Sequence, residues 1–377
     1  MKNEDLIYYL GFSYCLGIGP MTFKIIKSHP KGVKGIYEAP EKELLPIFGS
    51  KLTEKFVEFR RKFDPKAELE KLSKSGIKVL PVDSEDYPES LKNISDPPIC
   101  LYLKSSTTKF FSGKPQTAKN LSSSLFTKIY FAIVGTRKPT SYGRQIAYKF
   151  SRELAEAGFV IVSGMALGID TIAHQAALDA GGKTIAILGC GVNIIYPSAN
   201  FHLYNNIIKS GGAVISEFPP YQTVLKGLFI SRNRIISGLS KGVLIAEGGE
   251  YSGSLITAKY AGIQGKDVFA IPSPINSEMA PAPNLLIKQG AKMVTTTQDI
   301  FDEFEMKITP KKREDIRKGL TETEKLIFDI LQKNPQTVDD LAIGLGKTVS
   351  EILNTVSIME INWIIEKNIE KKYQLKL

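Results

Sequence analysis

The chain is short of acid where it is rich in glycine turns. Between Asp96 and Glu153 there is no Asp or Glu at all, against ten Lys and Arg, and between Asp179 and Glu247 the only carboxylate is Glu217, against six Lys or Arg. Random scatter of 39 Asp and Glu over 377 residues does not leave such gaps. Basic side chains and open backbone N–H groups with no competing carboxylate suit a polyanion, either nucleic acid or a phosphorylated ligand. The net charge of +10 agrees, although bulk charge alone says little.

Cysteine is scarce as well. Cys15, Cys100 and Cys190 stand far apart, with no CxxC and no Cys/His cluster. That excludes a recognisable zinc site and fits buried, reduced thiols. No uncharged apolar run approaches the roughly 20 residues of a membrane span. The first residues, Met1-Lys2-Asn3-Glu4-Asp5, bring acids early with no long apolar core behind them, so no secretory signal is expected and the cytoplasm is the expected compartment. Two nucleotide fingerprints are missing too. There is no GxxxxGK[ST], and Gly189-Cys190-Gly191 lacks the third glycine of a dinucleotide turn, since position 194 is Ile. No metal or cofactor is called for.

What is present begins with about 75 residues of short helical patterns. Leu6, Tyr9 and Leu10 form an apolar stripe, and Leu16-Gly17-Ile18-Gly19-Pro20 reads as a turn before a helix from Met21. That turn is similar to the hairpin of helix-hairpin-helix modules, but a single copy reads first as a structural turn. Residues 76–304 form the core. A short strand at Ile77–Leu80 opens it, and a Ser, Thr and Lys-rich tract over 105–128 reads as a flexible insertion. From Ile129 onward, apolar runs at Ile129–Gly135, Val160–Gly164, Thr184–Gly189, Ala213–Phe218, Val243–Glu247, Val268–Pro272 and Met293–Thr295 alternate with helical patterns. Short Ile and Val runs, each followed by a helix, imply an α/β fold: an extended Rossmann-like parallel sheet covered on both faces. A charged linker over 305–319 leads to three helical patterns and a hairpin over 320–377, the order of a winged helix. Its reading helix carries Glu351 and Glu360 but no Lys or Arg, so a protein contact suits it better than DNA.

In an open parallel sheet, ligands sit beyond the carboxyl ends of the strands. Those ends bring Gly135-Thr136-Arg137, Ser163-Gly164-Met165, Gly189-Cys190-Gly191, and Gly248-Gly249 followed by Ser252-Gly253-Ser254. Glycine with small hydroxyl residues is the composition of a backbone anion cradle. Any one such turn also serves a sheet that binds nothing, so the weight lies in their convergence. Arg137 adds a guanidinium for a bidentate phosphate contact. Arg232-Asn233-Arg234 follows Phe229 at the start of another helix, where the arginines are candidate phosphate clamps and Asn233 a cap or base contact. Lys183 precedes its strand and belongs to the opposite, amino end. His174 and Asp170 read as a packed histidine and a helix cap. A paired-carboxylate hydrolase would rest on Glu247 and Glu250, with no second cluster to support it.

Taken in order, these turns resemble the DNA-processing protein A family (DprA, also called Smf). The matching stretches are Ala132-Ile133-Val134-Gly135-Thr136-Arg137, Ser163 to Asp170 with Ala173-His174, and Thr184 to Gly189. They continue with Tyr196-Pro197, Ile215-Ser216-Glu217, Arg232 to Leu239 and Ser252 to Ala258. The resemblance implies a non-enzymatic protein that binds and protects single-stranded DNA, loads the RecA recombinase during natural transformation, and homodimerises. It maps DNA contacts to Arg137, to Lys183 and to the Arg232–Arg234 segment. The sequence departs from the family pattern at Ile230, where Pro is usual, and at Ser273 and Pro283, where Gly is usual. The competing reading is an enzyme or sensor acting on a nucleoside phosphate; the missing carboxylate after Ser252-Gly253-Ser254 argues against catalysis.

Overall fold

The computed structural model describes residues 5–107, 111, 129–306, 317, 319–361, 364–368 and 370–375. The described residues fall into two compact units, 1–305 and 306–377. Most of the expected flexible insertion over 105–128 and most of the charged linker lie outside the described residues.

In the first unit one sheet contains β1 (Lys78–Pro81), β2 (Cys100–Lys104), β3 (Tyr130–Val134), β4 (Val160–Ser163), β5 (Thr184–Ile187), β6 (Ala213–Ser216), β7 (Gly242–Ile245), β8 (Asp267–Ala270) and β9 (Lys292–Met293). Their order across the sheet is β1-β2-β6-β5-β4-β3-β7-β8-β9. From β3 to β9 every pairing is parallel, while β1 and β2 add an antiparallel edge beside β6. The fold is α/β, Rossmann-like and mostly parallel. β3 to β7 have fully or almost fully buried residues, as runs such as Phe131-Ala132-Ile133-Val134 require when helices cover both faces.

The chain enters this parallel set at β3, winds outward through β4, β5 and β6, and then returns to β7 on the other side of β3. The crevice between the carboxyl ends of β3 and β7 is therefore the topological switch point, where such sheets take their ligands.

The N-terminal helices, including Leu6–Tyr14 and Pro65–Lys74, are not set apart near residue 75 as the sequence suggests. Tyr14 stacks edge-on to Tyr102 of β2, with ring centroids 6.0 Å apart, and Ser13 Oγ lies 2.8 Å from the Tyr102 hydroxyl. Tyr9 donates to Asp83 at 2.6 Å. One hydrophobic core runs from Leu10 and Phe12 through Tyr102 to Val134 and Ile245.

The second unit has helices at Glu322–Leu331, Val338–Leu345 and Val349–Ile361 and an antiparallel hairpin pairing Ile365 with Leu375. Its own core includes Phe328, Leu341, Ile352, Val356 and Met359. Thr321 and Glu324 form the expected capping box, with the Thr321 N–H donating to Glu324 at 2.8 Å. Among the described residues no helix is long and apolar enough to cross a membrane, and no group of His, Cys, Asp and Glu is placed to hold a metal ion.

Candidate nucleic-acid interface

At the switch point the turn after β3 is built by its neighbours. The Thr136 amide donates to the Glu247 carbonyl beyond β7 at 2.8 Å, and the Ile169 amide donates to the Thr136 carbonyl at 3.1 Å. Gly168, at φ +84°, passes so close that a Cβ there would meet the Thr136 carbonyl oxygen at 2.4 Å, so only glycine fits. The Thr136 hydroxyl accepts from the Lys138 amide at 3.2 Å, which rounds off the turn. Gly135 closes it against Ile169 and the Glu247 carbonyl.

This bracing pushes Arg137 outward. Its side chain is exposed, and its guanidinium carbon lies 5.9 Å from the centroid of the Phe229 ring. Phe229 in turn sits 5.5 Å from the Tyr196 ring. Lys138 and Arg144 are exposed beside Arg137, on the turn and on the first turn of the Ser141–Glu156 helix. Among the described residues none of these three cations has a carboxylate partner. Of the three, only Arg137 is legible in the sequence; Lys138 and Arg144 lie in the same acid-free stretch and have no motif to single them out.

The helix N-termini behind the turns are already filled from within. Glu247, only 1% exposed, accepts from the Thr140 amide at 2.9 Å and the Thr140 hydroxyl at 2.5 Å. Thr140 then caps the Ser141–Glu156 helix by accepting from the Gly143 amide at 3.1 Å. Glu247 is thus an internal anion at a helix start, and with Glu250 out in solvent the two carboxylates form no catalytic pair.

A second internal anion occupies the turn after β4. Asp170 accepts from the amides of Gly164 at 3.1 Å and Ala166 at 3.3 Å. Burial holds its carboxyl above the usual carboxylate range, against the downward pull of nearby Arg232 and of these amides. Ser163 donates its hydroxyl to the Ile133 carbonyl at 2.7 Å. The Ser163-Gly164 cradle expected for a phosphate is therefore spent on Asp170 and on the sheet.

The Arg232-Asn233-Arg234 segment also faces inward, correcting the clamp reading. Arg232 is 5% exposed and donates to the carbonyls of Gly164, at 2.6 Å, and Ile187. A Cβ at position 164 would lie 2.2 Å from its guanidinium, so glycine there makes room for the arginine. Arg234, 3% exposed, holds both oxygens of Glu217 at 2.8 and 2.7 Å and Asp96 at 2.8 Å. Asn233 reaches the Gly253 carbonyl at 3.4 Å. Each charge finds its partner inside the protein, because a buried guanidinium left unpaired is costly.

The remaining sites divide. Ser252 caps the Gly253–Ile263 helix, accepting from the Ser254 amide at 3.3 Å, with the two hydroxyls 2.7 Å apart. This turn belongs to the switch-point crevice, although Ser254 is buried. Lys183 is exposed just before β5, beside the Gly211 turn, and so at the opposite end of the sheet from Arg137. His174 is fully buried with Nδ1 2.6 Å from the Thr184 hydroxyl. Since that hydroxyl gives its hydrogen to the Ile161 carbonyl, Nδ1 is the donor and Nε2 is left without a partner. Burial and Arg232 together push its pKa down to about 3, so the ring is neutral.

Known proteins share this sequence and fold. The family model for DNA recombination-mediator protein A matches residues 78–305. The chain is 42% identical to the DNA processing protein DprA of Bacillus subtilis over 61% of its length and 72% of that protein. It is 35% identical to the Smf protein of Synechocystis over 80% of its length and 73% of that protein. The crystal structure of Streptococcus pneumoniae DprA superposes with a TM-score of 0.66 at 34% identity, covering 80% of this chain and 99% of that one. A Helicobacter pylori DprA structure, described for its single-stranded DNA binding mode, gives a TM-score of 0.50 at 33% identity, covering 61% of this chain and 95% of that one. With its whole β1-to-β9 sheet inside the matched region, the chain belongs to the DNA recombination-mediator protein A family, that of DprA and Smf.

Proposed function

We propose that this protein binds single-stranded DNA without chemically altering it, protects incoming DNA, and hands it to the RecA recombinase in the cytoplasm during natural transformation, working as a homodimer. The observation that carries the reading is the state of Arg137. It is an exposed guanidinium at the switch point, free of any described carboxylate, with Lys138 and Arg144 beside it. A cluster of unneutralised cations next to the half-buried Phe229 ring and the Tyr196 ring combines phosphate attraction with a surface for base stacking. The Helicobacter pylori relative, described for its single-stranded DNA binding mode, supports the same ligand here.

The filled helix starts also favour a strand over a free nucleotide. With Glu247 and Asp170 holding the inner amides, phosphate contacts fall to side chains on the rim. A rim of separate cations suits a ligand with several phosphates in a row. Binding of labelled oligonucleotides at two salt concentrations tests the reading. Tight, length-dependent association with single strands that weakens steeply with salt is expected. Binding of nucleoside monophosphates as tightly as of oligonucleotides, or their turnover, overturns it.

A further inference from the structure

The two walls of the switch-point crevice differ in charge. On the β3 side stand Arg137, Lys138 and Arg144. On the β7 and β8 side there is no Lys or Arg from Gly242 to Ala258, nor from Asp267 to Ile287, while Glu250 and Glu278 are present. A phosphate backbone is drawn to the first wall and repelled from the second.

The second wall instead exposes apolar side chains. Tyr251, between β7 and the Gly253–Ile263 helix, is 93% exposed, and Ile275, in the loop after β8, is 97% exposed. Their two loops are tied together. The Gly248 amide donates to the Met279 carbonyl, and the Ala282 amide to the Gly248 carbonyl, both at 2.8 Å. Tyr251 lies one residue before the cap Ser252 and four after Glu247, whose carbonyl accepts from Thr136 in the turn bearing Arg137. An aromatic ring left in water on a pinned turn, beside the crevice, is a platform rather than a frayed end.

We infer that Tyr251 stacks on a base of the bound single strand, so that the strand lies with its phosphates on the Arg137 wall and bases turned toward the β7–β8 wall. This rests on the single-strand reading above and adds to it a direction: backbone to one side, bases to the other. Every base has a stacking face, so the contact is tolerant of sequence, and it contributes affinity without neutralising a phosphate.

The test uses the full chain, labelled oligo-dT, and an abasic oligonucleotide of the same length. Tyr251→Ala is expected to weaken oligo-dT binding about tenfold, the scale of one lost stacking contact, with an unchanged slope of log affinity against log salt. Tyr251→Phe should bind like the parent. On the abasic strand, parent and Tyr251→Ala should bind alike. Arg137→Ala serves as the companion, because it should weaken both oligonucleotides and flatten the salt slope. If Arg137→Ala weakens binding but Tyr251→Ala leaves oligo-dT untouched, no base stacks on this wall and the proposal is overturned while the single-strand reading stands. A Tyr251→Ala loss equal on both strands likewise overturns it. If neither variant has an effect, the single-strand reading itself falls.

Discussion

Glu247 donates nothing and accepts twice from one residue: the amide of Thr140 at 2.9 Å and its hydroxyl at 2.5 Å. Strand β7 is thereby fastened to the start of the helix that follows the Arg137 turn. The carboxylate occupies the position at which a phosphate would meet a helix N-terminus in many sheets of this kind. Glu247→Ala removes a buried charged acceptor and leaves the half-buried Thr140 donors without it, which costs about 2–3 kcal/mol. The expected outcome in urea unfolding is a lower midpoint with an unchanged slope. Parent-like stability would show that the carboxylate is not structural.

Arg137 carries the opposite expectation: function without stability. Arg137→Ala should leave the melting temperature in place, because the side chain is exposed and has no carboxylate partner. It should weaken single-strand binding about tenfold and lower the salt slope by about 0.7, the share of one phosphate on a single strand. Lys138→Ala and Arg144→Ala should each act in the same direction. Fluorescence anisotropy over a salt series measures all three.

Arg232 and Arg234 show where the sequence stops speaking. Their spacing after Phe229 reads as a clamp, yet Arg234 is matched by Glu217 and by Asp96, the latter 138 residues earlier. Such a pairing leaves no trace in local pattern. The strands from β3 to β8 were legible because continuous Ile and Val runs have few other homes. β2, Cys100–Lys104, was not, since a short strand after Asp96-Pro97-Pro98 lies between β1 and β6 and pairs antiparallel with β6, more than a hundred residues away. Of the site, Arg137 could be read from its place after a buried strand. The internal anions Glu247 and Asp170 could not, because only the folded chain brings Thr140 and Gly164 to them.

The Arg234 pairing has its own test. The side chains of Arg234 and Glu217 are 4% and 9% exposed, so removing one partner strands the other. Arg234→Met is expected to cost about 3–5 kcal/mol, and Arg234→Met with Glu217→Met to recover a large part of it. Denaturant unfolding of the parent, Arg234→Met, Glu217→Met and the double variant closes the cycle. Loss of DNA affinity in Arg234→Met with stability intact would return Arg234 to the list of direct contacts.

His174 predicts an acid limb. Its folded pKa is pushed down to about 3 from an ordinary value near 6.5, so between these two pH values the unfolded chain binds a proton that the folded chain refuses. Stability from this group is complete above about pH 6.5 and is lost as pH falls, at up to about 1.4 kcal/mol per unit. Asp170, with its carboxyl raised, works the other way and offsets part of the loss at the acid end of the window. Melting temperatures from pH 7 down to pH 4.5 should fall, and His174→Gln should flatten the descent. An equal descent in both proteins would remove His174 as its cause.

The C-terminal unit gives the last prediction. The third helix of that unit, Val349–Ile361, has no Lys or Arg. Glu351 is spent on its own helix start, accepting from the Thr348 amide at 3.0 Å and hydroxyl at 2.8 Å, and Glu360 leaves a further negative charge exposed. Such a face repels phosphate. Residues 1–305 have a hydrophobic core of their own, so a chain ending at Glu305 should fold and keep the single-strand affinity and salt slope of the full protein. Anisotropy on the two chains side by side decides it: a large loss of affinity on truncation would make the C-terminal unit part of the DNA surface despite its acids.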